Sequence, residues 1–74
     1  MFSSVAALKS FLEKTQGIPQ DRIETVDLDS TSRVTERMLV DKENPSVPVG
    51  FVTVTYQGIV PGRGKVWNVD ARPA

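Results

Sequence analysis

The sequence predicts an α+β fold, one N-terminal helix packed on a three- to four-stranded antiparallel sheet, in a single domain covering residues 1–74. Three observations predict it. An apolar stripe at helical spacing near the amino terminus stops at Gly17-Ile18-Pro19. The run from Phe51 to Tyr56 is β-branched or aromatic at every position. Finally, Pro61-Gly62, the pair favoured in a type II turn, separates two alternating segments.

Residues 3–16 read as the helix. The hydroxyl of Ser3 or Ser4 can cap the free amides of the first turn. Val5, Leu8 and Leu12 fall at helical spacing, with Phe11 widening the stripe, so one face is apolar. Gly17 suits the left-handed position after the last turn, Ile18 can fold back on that turn, and Pro19 prevents continuation.

Residues 23–29 alternate as a strand, with neither face purely apolar, as expected of a short or edge strand. Ser30-Thr31-Ser32 marks a turn. Residues 33–41 fit a strand better than a helix because the run is short and lacks a clear cap; Val34, Met38 and Val40 would then point inward. Asp41 to Pro48 reads as a proline-punctuated loop, and Gly50 to Tyr56 as the strongest strand. Gln57 to Gly64 is the next connection. Lys65 to Ala71 is the final strand, with Trp67, Val69 and Ala71 on one face, and Pro73 ends it.

The 74 residues include no histidine and no cysteine. The usual groups for acid–base work near neutral pH, thiol nucleophiles and soft-metal ligation are therefore missing. A chain this short buries only roughly 60% of the surface its unfolded form exposes. Without disulfides or a Cys/His metal site, local element strength or pairing with itself or a partner must compensate. The 9 basic and 9 acidic side chains balance. Residues 49–74 nevertheless carry three basic groups and one acidic group. That bias is too small for a nucleic-acid signature. The amino terminus lacks the basic region of a signal peptide, and no apolar run approaches a membrane span. A cytoplasmic protein with no membrane association is the expectation, and its initiator methionine suggests a natural start.

Gly58 to Lys65 has a phosphate-loop look, but the pattern fails. Gly64-Lys65 would need glycine where Ile59 stands and Ser or Thr where Val66 stands. The spacing of Asp21, Glu24, Asp27 and Asp29 does not match an EF-hand. A solvated acidic edge, with Asp27 and Asp29 on one face, is the simpler expectation. Ser30, Thr31 and Ser32 lack a histidine base, and so small a domain has little room for a substrate cleft. No catalysis, metal or cofactor is expected.

Phe11-Leu12 through Gly17-Ile18-Pro19-Gln20-Asp21-Arg22-Ile23 to Asp29-Ser30 resembles the first helix and loop of acyl carrier proteins. In that family a serine after aspartate carries the phosphopantetheine arm and opens a second helix. Thr31 stands where the family has a hydrophobic residue, and the second half reads as strands rather than helices. The resemblance therefore assigns no family.

The remaining candidate surface is the last hairpin: Arg63 and Lys65 flanking a glycine, with Tyr56, Trp67 and Arg72 near them. Arginine and aromatic residues anchor protein interfaces, which need no overall positive charge. The expected function is a non-enzymatic protein-binding module, a small regulator, adaptor or assembly part. The Arg63/Lys65 loop would dock on an acidic or grooved partner, with a sheet edge adding backbone pairing. By size alone, the chain also groups with accessory proteins that bind host machinery. Two alternatives differ in class: nucleic-acid binding by the basic hairpin, and a self-assembling structural subunit. For Trp67 itself the competing reading is a core residue beneath the helix.

Overall fold

The computed structural model describes residues 2–74. Its elements run α1 (Val5–Gln16), a single 3-10 turn (Gln20–Arg22), β1 (Ile23–Ser30), β2 (Val34–Asp41), β3 (Asn44–Val60) and β4 (Gly64–Pro73). The strands form one antiparallel meander in the order β1-β2-β3-β4, and the helix packs on one face. The predicted architecture is the observed one.

The helix starts and stops where its end chemistry dictates. Ser4 lies in extended conformation and its hydroxyl accepts a 3.1 Å hydrogen bond from the Ala7 amide. Gly17 adopts φ 69° and donates its amide to the Glu13 carbonyl at 3.1 Å, closing the last turn. Ile18 then turns back into the core.

Leu8 and Leu12 are completely buried against Ile18, Ile23, Leu39, Val52 and Ala71. This contact requires Gly50 on β3. A Cβ there would lie 3.0 Å from Leu8 Cδ2 and 3.1 Å from the Arg72 carbonyl oxygen. The second neighbour is backbone and cannot swing away, so the glycine gives Leu8 its seat.

The sheet departs from the expected pattern at β2. Leu39, rather than Val34, Met38 and Val40, points into the core. Met38-Leu39-Val40 is apolar at three successive positions, so alternation alone leaves the inward face undecided. The pairing of Leu39 with Gly50 decides it, because there Leu39 meets the helix. Val40 is buried on the other side, in register with Pro48.

A second correction concerns β1. The register slips between Asp27 and Asp29, so Leu28 is the extra residue of a bulge. Asp27 pairs with Arg37 and Asp29 with Glu36, which places the two aspartates on opposite faces. Asp27 meets the Arg37 guanidinium at 3.1 Å.

The expected loop from Asp41 to Pro48 is shorter than predicted. Lys42 and Glu43 make the turn, and β3 already begins at Asn44. Pro45, Ser46 and Val47 bulge between the pairs Asp41–Asn44 and Val40–Pro48. The prolines have no amide for the ladder, so the bulge accommodates them.

An ion pair fastens this end of the sheet. Arg22 binds Asp41 in bidentate fashion at 2.8 and 3.0 Å and reaches Glu43 at 3.1 Å. The hydrogen bond from the Glu43 amide, together with the Arg22 guanidinium, holds the Asp41 carboxyl below the ordinary carboxylate range. A depressed carboxylate stabilises the fold above its unfolded pKa, and the benefit disappears as pH falls through the lower folded value.

Two outcomes follow. Gly50→Ala is expected to destabilise the domain by about 1–3 kcal/mol through overpacking, read as a lower urea midpoint. An acid titration followed by circular dichroism should show the Asp41 contribution intact above about pH 4 and lost below it; Asp41→Asn should remove that portion of the acid limb.

Candidate protein-docking edge

The molecule measures 42 × 23 × 18 Å, and its long axis is set by β3 and β4. The last residue of β3 paired to β2 is Thr55, opposite Val34. Beyond it, residues 56–60 continue with β4 as a two-stranded arm, roughly 17 Å long at ~3.4 Å per residue. The turn at its tip is built as the sequence implies. Gly62 takes φ 81°, and the Arg63 amide donates to the Val60 carbonyl at 2.9 Å.

Trp67 lies on this arm rather than under the helix. It is 53% exposed, so the core reading of Trp67 is overturned. The reason is length: α1 has 12 residues, about 18 Å, and cannot cover a sheet this long. Trp67 is in register with Tyr56, and their rings meet at 5.5 Å with a 50° tilt. This aromatic pair packs within the hairpin and leaves much of the indole facing solvent.

Strand alternation puts Lys65 on the same face as Trp67, and Ile59, 72% exposed, is its cross-strand partner. Arg63 sits in the turn just beyond. Sequence reasoning missed Arg33. The Tyr56 amide donates to its carbonyl at 2.7 Å, which brings the β1–β2 turn beside the aromatic pair. Arg33 follows the Ser30–Ser32 turn signal directly, but no local pattern says that this turn ends at Tyr56. Among the described residues, Arg33, Arg63 and Lys65 make no ion pair.

Arg72 does not belong to this group. It lies on the opposite face, where its guanidinium stacks 5.6 Å from the Phe51 ring centre. It caps a cross-strand row that runs Val26, Met38, Phe51, Arg72.

The two sheet edges differ. β1 is bulged at Leu28 and carries Glu24, Asp27 and Asp29, devices that discourage pairing. β4 runs without a bulge of its own; the slip near the arm falls on Gln57 of β3. Among the described residues, only Phe2 meets the outer edge of β4, exchanging two hydrogen bonds with Ala71 at 2.7 and 2.9 Å. Since Ala71 directs its amide and carbonyl outward, alternation directs those of Val69, Trp67 and Lys65 outward too. Where Phe2 and Ser3 leave the edge, a notch of about 290 Å³ opens beside Asn68, Val69 and Asp70. One carboxylate oxygen of Asp70, Oδ1, is buried without a hydrogen-bond partner among the described residues.

Ser30 ends a strand and opens no helix; its hydroxyl lies 3.3 Å from that of Thr35. The half-likeness to acyl carrier proteins therefore does not extend to the fold. No helix among the described residues is long and apolar enough to cross a membrane. In comparisons with known proteins, no family model matches the chain, and no curated protein or solved structure matches it. The functional reading consequently rests on the chain's own residues.

Hydrogen exchange in dilute solution should report this edge directly. The amides of Lys65, Trp67 and Val69 are expected to exchange rapidly, while those of Asn68 and Asp70, turned toward β3, stay protected. Equal protection along β4 would contradict the assignment of its outer edge.

Proposed function

We propose that this chain is a non-enzymatic protein-binding module, a small regulator, adaptor or assembly part, whose docking surface is the arm and outer edge of β4. One observation carries the reading. An exposed tryptophan, braced by Tyr56, adjoins a row of outward backbone groups on Val69, Trp67 and Lys65. Aromatic anchors supply most of the energy at protein interfaces, and an open strand edge supplies directional hydrogen bonds. Lys65 and Arg63, which make no ion pair among the described residues, add positive charge that suits an acidic stretch of partner.

Nucleic-acid binding is the second reading, favoured by Arg33, Arg63 and Lys65, which make no ion pair among the described residues, around a stackable ring. The two readings separate on salt and on competitor. A nuclease-treated capture experiment should use the wild type beside a Trp67→Ala, Lys65→Ala variant with unchanged circular dichroism. Retention of a protein by the wild type and its loss from the variant is the expected result. Titration of a single-stranded oligonucleotide, with affinity collapsing as salt rises and no protein retained, would replace the protein reading with the nucleic-acid one.

A further inference from the structure

The sheet has a second face, turned away from α1, whose side chains are placed by the strand register. Two neighbouring rows cross the strands there. One runs Val26, Met38, Phe51 and Arg72; the next runs Asp29, Glu36, Thr53 and Asp70. The first row is apolar as far as Arg72, which stacks on Phe51. Met38 and Phe51 are half-buried by their neighbours, whereas Val26 and Leu28 are 37% and 52% exposed. The helix packs on the opposite face and leaves both rows open. Where the rows meet, Leu28, Glu36, Phe51 and Arg72 help to line a depression of about 230 Å³. That is below the usual size of a small-molecule site and suits a single inserted side chain.

Charge on this face is one-sided. Alternation adds Glu24 to Asp29, Glu36 and Asp70, against Arg72 alone among the described residues. Asp29 stands directly opposite Glu36, a like-charge cross-strand pair that weakens the sheet. Neither makes an ion pair among the described residues. Asp27, on the helix side, is by contrast neutralised by Arg37.

We infer that this face docks a cationic amphipathic helix of a partner protein, lying across the strands. Its apolar stripe would rest on Val26, Met38 and Phe51, and a flanking line of lysines or arginines would follow Asp29, Glu36 and Asp70. Row members one strand apart are separated by about 4.8 Å, close to the helix pitch of about 5.4 Å. Helical residues at i, i+4 and i+7 therefore meet successive strands. Same-side residues of an extended segment are about 6.8 Å apart and fall out of step over three strands. The same distance, about 6.8 Å, separates the two rows, within the width of one helix at about 10 Å.

Charge selects this occupant over others. A second copy of the chain would bring the same acidic excess to the contact, and nucleic acid or an anionic membrane would be repelled by it. A lysine or arginine set between Asp29 and Glu36 relieves their repulsion, a gain available only on binding. The surface is separate from the β4 edge and goes beyond the reading above.

Titration of the isotope-labelled full chain with three synthetic peptides, followed through its amide signals, tests the inference. The first peptide is a helix former with leucines at i, i+4, i+7 and i+11 and lysines along one flank. The second scrambles that composition, and the third replaces the lysines by glutamates. The first is expected to shift the amides of Val26, Met38 and Phe51 and to bind at least about tenfold more tightly than the other two. Its affinity should fall as salt rises. Glu36→Lys should weaken it by about tenfold or more. That variant sets a cation opposite Asp29, so an unchanged circular dichroism spectrum is expected of it. If it fails to fold, Glu36→Gln makes the same comparison with a smaller loss. No binding of the first peptide, or equal affinity for the scrambled one, overturns the inference. Shifts confined to Lys65, Trp67 and Val69 also overturn it, while leaving the β4 docking reading in place.

Discussion

Leu8 enters the sheet where Gly50 has no side chain, and the position of the helix follows from that contact. Its neighbours hold it there from both ends. Ile18 and Ile23 bury the carboxyl-terminal end of α1, while the Phe2–Ala71 bridge ties down the segment that precedes it. The Phe2 and Phe11 rings, 5.1 Å apart, close the side between them. Helix and sheet therefore share a compact contact at one end of an elongated molecule. In so small a domain, with no disulfide to assist, this patch of buried aliphatic residues is the main source of cohesion.

The rest of the surface is arranged by what that contact leaves uncovered. A 12-residue helix seals only part of the sheet face, so β3 and β4 continue as an unsupported arm. Such two-stranded ribbons are only marginally stable alone. Tyr56 against Trp67 and the type II turn supply local cohesion, but the arm keeps an exposed indole and an unsatisfied strand edge. Both features are what a partner surface would cover.

Among the described residues, two cations are held in ion pairs. Near the helix, Arg22 is committed to Asp41 and Glu43, and Arg37 on the neighbouring strand is committed to Asp27. Arg33, Arg63 and Lys65 toward the arm have no such commitments among the described residues, and neither do Lys9, Lys14 and Lys42. The paired charges belong to the fold's own closure.

Much of this was legible in the chain. Ser4, Gly17 and Pro19 specify the ends of α1 through capping and backbone geometry, interactions that span only a few residues. Pro61-Gly62 specifies the arm's turn for the same reason, and alternation correctly groups Tyr56 with Val52 and Val54, and Trp67 with Val69 and Ala71. Tertiary structure decided the rest. Met38, Leu39 and Val40 are interchangeable to a pattern, and only the Leu39–Gly50 register under Leu8 selects which one enters the core. The bulge at Leu28 separates Asp27 from Asp29, a slip that no side-chain periodicity announces. Whether Trp67 is core or surface depends on where the helix ends above the sheet, and whether Arg72 joins Arg63 depends on which face its strand position presents. Local rules act over a turn or a hairpin, while burial, sheet edges and charge neighbourhoods are properties of the assembled layers.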